Sequence, residues 1–159
     1  MPPDPDAAIV PPDPDAAPPV PDAAVVVPPP PSPGADGPLG HRDWVSTVDF
    51  PGGGIFQRRV DIRVVVPVDV AGAPFPLVIF NHGFQASGDA YRAYAERLSS
   101  HGFVVLLPTY DGVLSSRTHV ELAADQATAL DWALAQSAQA GTPLAGLVDP
   151  AHIGAAGHS

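Results

Sequence analysis

The sequence predicts an α/β fold of three layers, in which helices cover both faces of a mainly parallel sheet that follows a proline-rich leader. Three observations support this prediction. Two segments alternate apolar and polar residues with the period of a half-buried strand. Short continuous apolar runs follow, and such runs are typical of strands that are buried on both faces. Two segments with helical periodicity separate these runs, so the order after the opening strands is β-α-β-α-β.

Residues 1–39 form a leader that we expect to be disordered, and residues 40–159 form the folded domain. The leader holds 15 of the 22 prolines, six aspartates and no basic residue. Because proline fixes φ and removes a hydrogen-bond donor, neither a helix nor a sheet ladder propagates there. At ~3.1 Å per residue, an extended leader spans up to roughly 120 Å. We expect it to join the domain to a secretion signal or a lipid or surface tether upstream, in a secreted or cell-surface protein.

The five strands are predicted, in chain order, at residues 44–50, 58–68, 77–80, 103–107 and 152–156. The first strand ends at the turn Pro51-Gly52-Gly53-Gly54. In the second strand, one face carries apolar residues at every other position, namely Val60, Ile62, Val64 and Val66. The third and fourth strands are continuous apolar runs, as buried parallel strands are.

Two helices are predicted between the later strands. Ser87 caps a helix over residues 89–100, which Gly102 ends, because glycine adopts the left-handed conformation that closes a helix. One face of this helix carries Tyr91, Tyr94 and Leu98. Thr118 and Glu121 have the spacing of a capping box, which opens a second helix that extends to about residue 136. Its inward face is predicted to consist of Val120, Ala124, Ala127, Leu130 and Leu134.

Charge and composition exclude several classes of function. The net charge is −10 and the basic residues form no stripe, which excludes nucleic acid as a partner. The chain has no cysteine, so it contains neither a disulfide nor a thiolate metal site. No apolar run reaches the ~18 residues of a membrane span. No histidine pair has the spacing of a short metal motif, so we expect no metal and no cofactor.

Two short motifs carry the chemistry. Gly157-His158-Ser159 reads as the first part of the turn G-x-S-x-G, in which a strand-to-helix bend exposes a reactive serine. Asn81-His82-Gly83-Phe84 directly follows a buried strand, where a glycine allows a tight turn whose N–H groups face a developing oxyanion. About 75 residues of β-α-β-α-β pattern separate the motifs, which is enough to bring both loops to one edge of the sheet.

At these residues the chain resembles the α/β-hydrolase superfamily. It is most similar to the branch with chlorophyllase-like and dienelactone-hydrolase-like enzymes and the polyester-degrading cutinases. The resemblance covers roughly residues 44–159. It rests on PLVIFNHGF at residues 76–84, SHGFVV at 100–105, ALDW at 129–132 and VDPAHIGAAGHS at 148–159.

The resemblance implies that Ser159 is the catalytic nucleophile and that the Phe84 N–H is one oxyanion-hole donor. The second donor would be the N–H after Ser159. The triad acid and histidine follow the serine in this fold. We therefore expect the chain to be the N-terminal half of a hydrolase domain, truncated at the nucleophile and inactive alone. Phe84 and Tyr110 follow strand ends on the same sheet edge, which makes both candidates for the substrate pocket.

Other polar residues receive structural roles. Among the histidines, His82 is expected to stabilise its loop by hydrogen bonding, and His158 to pack beneath the serine turn. His101 lies at the end of the first helix, and we expect the remaining histidines to be solvated or at the surface: His41, His119 and His152. Asp111, at a strand end, is expected to support a turn, and Trp132 to pack in the core.

The predicted function is hydrolysis of a small-molecule or polymeric carboxylic ester through an acyl-enzyme on Ser159. Two alternatives stay open. The chain is a non-catalytic, truncated remnant of such a hydrolase, or its parent is a serine peptidase on the same fold.

Overall fold

The computed structural model describes residues 34–51, 58–68, 70–110 and 118–158. Several sequence predictions concern residues outside these ranges: most of the leader, the glycine turn at 52–54, Asp111 and Ser159. Within the described ranges, no helix combines the length and the apolar character that a bilayer span requires.

The secondary structure follows the predicted order. The strands are β1 (His41–Phe50), β2 (Arg58–Pro67), β3 (Phe75–Asn81), β4 (Val104–Thr109) and β5 (Val148–Gly157). The α-helices are α1 (Arg92–Ser100) and α2 (His119–Ala138), and two short 3₁₀ helices span Val70–Gly72 and Gly88–Tyr91. Four of the five strands begin earlier or end later than predicted, because backbone pairing continues past the buried residues, whereas β2 ends one residue before its predicted end at Val68.

The described strands form one sheet in the order β1-β2-β4-β3-β5. The β1–β2 and β2–β4 pairings are antiparallel, whereas β3 pairs in parallel with both β4 and β5. The three later strands therefore form the predicted parallel part of the sheet, and the opening hairpin adds an antiparallel edge. This arrangement brings the carboxyl ends of β3, β4 and β5 to the same edge.

Each face of the sheet buries its own apolar cluster, which confirms the three-layer prediction. One cluster packs beneath α1 and contains Val65, Ala95, Val105 and Leu107. The larger cluster packs beneath α2 and includes the predicted valine and isoleucine face of β2 together with Leu77, Ile79 and Leu106. Alternate residues of β4 enter opposite clusters, which is why its sequence is apolar throughout.

The first predicted helix divides into a 3₁₀ turn followed by α1. Ser87 precedes the 3₁₀ turn, but its side chain makes no capping hydrogen bond. The Gly88 N–H instead donates to Thr109 Oγ1 over 3.0 Å, which fixes the turn against β4. The helix ends at Ser100, and Gly102 adopts φ +90° as predicted.

The predicted start of α2 is confirmed, whereas its predicted inward face is right at only two of five positions. Thr118 Oγ1 accepts from the Glu121 N–H over 3.3 Å, and the Glu121 carboxylate accepts from the Thr118 N–H over 2.7 Å. The fully buried helix residues are Asp125, Ala129 and Ala133, and only Leu130 and Leu134 of the predicted face pack against the core. Val120 is 79% exposed, and Ala124 and Ala127 are exposed too. The buried stripe begins with an aspartate, which the apolar pattern of the helix does not include.

Asp125 is buried because it pairs with Arg58 of β2. The side chains are only 4% and 13% exposed, and the guanidinium also lies 5.5 Å from the centre of the Phe50 ring. Burial raises the pKa of the Asp125 carboxyl, and the Arg58 guanidinium lowers it by less. No local sequence pattern indicates this pair, because its partners are 67 residues apart.

Candidate active site

The loop after β3 and the last described residues of the chain lie side by side. In the parallel β3–β5 pair, Asn81 is opposite Gly157, and the His158 N–H donates to the Asn81 carbonyl over 3.1 Å. A Cβ on Gly157 would lie 3.1 Å from that carbonyl oxygen, so glycine permits the close approach. The two motifs identified in the sequence therefore meet at the carboxyl edge of the sheet.

The loop after β3 contains a four-residue turn that presents Phe84. The Ala86 N–H donates to the Gly83 carbonyl over 3.1 Å, and Gln85 has φ +60°, the left-handed conformation that such a turn requires. The Phe84 side chain is 82% exposed, and its N–H makes no hydrogen bond with the described residues. The turn thus exposes both the ring and the backbone donor that the sequence assigned to the oxyanion hole.

His82 holds this loop against the end of β4, which confirms its expected hydrogen-bonding role. Its Nε2 accepts from the Tyr110 N–H over 3.1 Å, and its Nδ1 lies 2.9 Å from the Gly83 carbonyl. A carbonyl only accepts, so Nδ1 carries the proton and Nε2 does not. Both ring nitrogens make hydrogen bonds, so the imidazole links the loop after β3 to the residue that follows β4.

Tyr110 lies beneath the loop with most of its ring in the α2-side core. It is 6% exposed, and its hydroxyl donates to Asn81 Oδ1 over 3.2 Å. The Asn81 amide nitrogen in turn donates to Gln126 on α2 over 3.2 Å. Burial, followed by the nearby Asp125 carboxylate, raises the pKa of the Tyr110 phenol, so this hydroxyl stays a neutral donor. Tyr110 therefore supports the site from below.

Two carboxylate–histidine pairs occur among the described residues, and both lie at the opposite edge of the sheet. His152 Nδ1 is 2.7 Å from Asp149 at the start of β5, and this contact lowers the pKa of the Asp149 carboxyl. His41 Nε2 is 3.6 Å from Glu96 at the start of β1. At ~3.3 Å per residue, the five strand residues from His152 to Gly157 span roughly 16 Å, so this pair lies far from the carboxyl edge of the sheet.

The remaining histidines and Trp132 occupy the predicted positions, except for His158. His158 is exposed rather than packed beneath the turn, and its Nδ1 is 2.8 Å from the Tyr91 hydroxyl. His101 ends α1 and contacts the Ala35 carbonyl over 3.0 Å, His119 is exposed, and Trp132 packs against the core. Across the described ranges, no cluster of three or more side chains has the arrangement of a metal site.

Sequence reasoning missed the part that Tyr91 and Asn81 play in the site. The pattern places Tyr91 only on a helix face and Asn81 only in a motif. In the structure Tyr91 contacts both loops that meet at the sheet edge, and Asn81 accepts from the His158 N–H and from the Tyr110 hydroxyl. The position of Tyr91, in the first turn of a helix that follows the loop, was the one local signal that it faces the strand ends.

The solved structures that share the fold include two esterases. A structure titled bacterial heroin esterase matches with a TM-score of 0.57 at 22% identity, over 77% of this chain and 36% of its own. The ferulic acid esterase from Streptomyces cinnamoneus matches with a TM-score of 0.53 at 20% identity, over 80% of this chain and 54% of its own. The chain thus spans little more than a third of the length of the heroin esterase and about half of the length of the ferulic acid esterase.

A family comparison identifies the chain more closely. No curated protein sequence matches it. The family model for chlorophyllase, however, matches residues 57–159, which include β2 to β5, both α-helices and both motifs of the site. This match covers well over half of the sequence. The chain therefore belongs to the chlorophyllase family, within the α/β-hydrolase superfamily.

Proposed function

We propose that the protein is a serine carboxylic-ester hydrolase that works through an acyl-enzyme on Ser159. The observation that carries the proposal is the hydrogen bond from the His158 N–H to the Asn81 carbonyl over 3.1 Å. It joins the residue before Ser159 to the strand end that precedes Phe84. Membership of the chlorophyllase family supports hydrolase chemistry at this edge.

In the proposed reaction, Ser159 Oγ attacks the ester carbonyl carbon while its proton passes to a general base. The resulting oxyanion accepts hydrogen bonds from the Phe84 N–H and from the N–H of the residue after Ser159. The alcohol then leaves with a proton, and water releases the acid from the acyl-enzyme by the same route. Loss of one such donor costs about 3 kcal/mol in the transition state.

We propose that the base and its carboxylate partner belong to the part of the complete protein that follows Ser159. The described histidines support this assignment, because His82 uses both ring nitrogens and the carboxylate-bound histidines lie at the far edge. An unactivated serine hydroxyl is a weak nucleophile at neutral pH. The 159-residue chain by itself is therefore expected to be inert.

An ester is the favoured substrate because both structural neighbours are named as esterases. The exposed Phe84 ring would form a wall of the acyl pocket, and large apolar rings suit that position. Tyr110 would contribute from beneath, since it holds Asn81 and His82 in place under the loop.

A fluorophosphonate probe, which phosphonylates activated serines with loss of fluoride, tests the proposal. We expect covalent labelling of the full-length protein, loss of labelling in Ser159→Ala, and no labelling of the 159-residue chain. Ser87→Ala is the matched control, because Ser87 lies in the loop between β3 and the second 3₁₀ helix and its side chain makes no capping hydrogen bond. Labelling that survives Ser159→Ala would refute the assignment of the nucleophile, and labelling of the 159-residue chain would refute its inactivity. Hydrolysis of peptides but not of p-nitrophenyl butyrate would refute the ester preference.

A further inference from the structure

The Tyr91 hydroxyl lies between the two loops of the site. We define the oxyanion loop as residues 82–86 and the nucleophile turn as Gly157-His158-Ser159. The Gly83 N–H donates to Tyr91 Oη over 3.3 Å, and Tyr91 Oη is 2.8 Å from His158 Nδ1. One phenol oxygen thus contacts both the residue before Phe84 and the residue before Ser159.

The phenol can serve both contacts at once. A tyrosine hydroxyl has one proton and two lone pairs. When it accepts the Gly83 N–H, its own proton remains free to donate to His158 Nδ1. The result is a continuous chain from backbone N–H through phenol to imidazole, and each bond in such a chain strengthens the next.

The Tyr91 ring is itself held in place. Its centroid is 4.8 Å from that of Phe80 on β3 and 6.3 Å from that of Tyr94 on α1. Tyr91 also ends the 3₁₀ helix whose first residue, Gly88, is bonded to β4. The hydroxyl therefore projects from a fixed point in the sheet and its covering helix.

We infer that Tyr91 is a positioning residue for ester hydrolysis, and this inference rests on the proposed function. Its hydroxyl sets the separation of the oxyanion loop and the nucleophile turn by fixing Gly83 relative to His158, the residue that precedes Ser159 in the sequence. It also occupies the Gly83 N–H, which leaves the Phe84 N–H as the donor for the oxyanion. Tyr91 itself touches neither the substrate nor the attacking oxygen.

Tyr91→Phe in the full-length protein tests the inference, because it removes the hydroxyl and keeps the ring contacts. Small displacements of reacting groups cost up to 10²-fold in rate, so we expect kcat for p-nitrophenyl butyrate to fall about 10- to 100-fold. KM should change less than about twofold, because an oxyanion donor acts mainly in the transition state. The rate of fluorophosphonate labelling should fall in parallel with kcat.

Tyr94→Phe is the matched control. It removes a phenol hydroxyl from the same aromatic group, but Tyr94 is 63% exposed and its hydroxyl makes no hydrogen bond with the described residues. We expect kcat close to that of the unmodified protein. If Tyr91→Phe behaves like Tyr94→Phe, or loses activity only in proportion to a loss of folded protein in thermal unfolding, the inference is wrong.

A double-variant cycle separates a shared hydrogen bond from two independent effects. His158→Ala removes the other partner of the phenol, so the double variant should lose much less than the product of the two single losses. Fully multiplicative losses would overturn the inference and leave the proposed function intact. If Ser159→Ala in the same series retains hydrolysis, the proposed function fails and the inference falls with it.

Discussion

A substitution of Gly88 tests how closely the 3₁₀ helix Gly88–Tyr91 packs against β4. A Cβ added at this glycine would lie 2.6 Å from the Leu107 carbonyl oxygen and 2.9 Å from both the Leu107 carbonyl carbon and the Pro108 oxygen. All three are backbone atoms of β4, so no side-chain rotation can relieve the contact. Gly88→Ala must therefore move the 3₁₀ helix away from β4.

The cost follows from two contributions. Overpacking of a tight contact costs about 1–3 kcal/mol, and the fixed backbone atoms place this site at the upper end. Displacement also weakens the bond from the Gly88 N–H to Thr109, which contributes about 0.5–1.5 kcal/mol. We expect Gly88→Ala to lower the free energy of unfolding by roughly 3–4 kcal/mol. Since Gly88 begins the turn that ends at Tyr91, esterase kcat should fall as well.

Gly141→Ala supplies the matched comparison. A Cβ at Gly141 meets nothing within 4 Å, but its φ is +87°, so the substitution adds backbone strain without a steric clash. That strain costs about 1–2 kcal/mol. Urea unfolding of the full-length protein, together with kcat, compares the two variants. Equal losses of stability, or a Gly88→Ala variant with unchanged kcat, would refute the reasoning from the close contact.

Three further substitutions test the fold. Asp125→Ala leaves the Arg58 guanidinium buried without its carboxylate partner and should lower the free energy of unfolding in urea by about 3–5 kcal/mol. The double variant Arg58→Met/Asp125→Leu should recover much of that loss. Strictly additive losses of the two single variants would contradict a coupled pair. Thr118→Ala removes the capping box of α2 and should lower stability by about 1 kcal/mol, visible as a lower Tm; an unchanged Tm would contradict it. The Arg63 guanidinium lowers the pKa of the Asp89 carboxyl in the folded protein. At pH values above the ordinary pKa of 3.8, the ionised carboxylate therefore stabilises the folded state. This stabilisation is lost as the pH falls through the lower pKa of the folded protein. The difference in Tm between the unmodified protein and Asp89→Asn should therefore be largest near neutral pH and vanish in acid, and a difference that persists in acid would count against this origin.

The sequence sufficed for the site wherever its signals are local. Residues 77–80 of β3 form a continuous apolar run, and Asn81-His82-Gly83-Phe84 directly follows that run, so its position at the sheet edge could be predicted. The buried face of α2 could not, because alanines occupy all its sides and the decisive inward residue is the charged Asp125. That aspartate is tolerated only because a distant strand supplies Arg58, and no helical pattern contains this information.

The contacts that organise the site are long-range in the same sense. Tyr91 and His158 are 67 residues apart, and Asn81 and Gln126 are 45 residues apart. Neither contact could therefore be predicted from helical or strand periodicity or from a short sequence motif. Their effect nevertheless sharpens the local prediction. The Gly83 carbonyl accepts from His82 and from the Ala86 N–H, and the Gly83 N–H donates to Tyr91. With the polar groups of that glycine occupied, the next backbone donor along the loop is the N–H of Phe84, which makes no hydrogen bond with the described residues. This arrangement supports the proposed assignment of Phe84 to the oxyanion hole, because neighbouring groups use the polar atoms of Gly83 and leave the next N–H available as a donor.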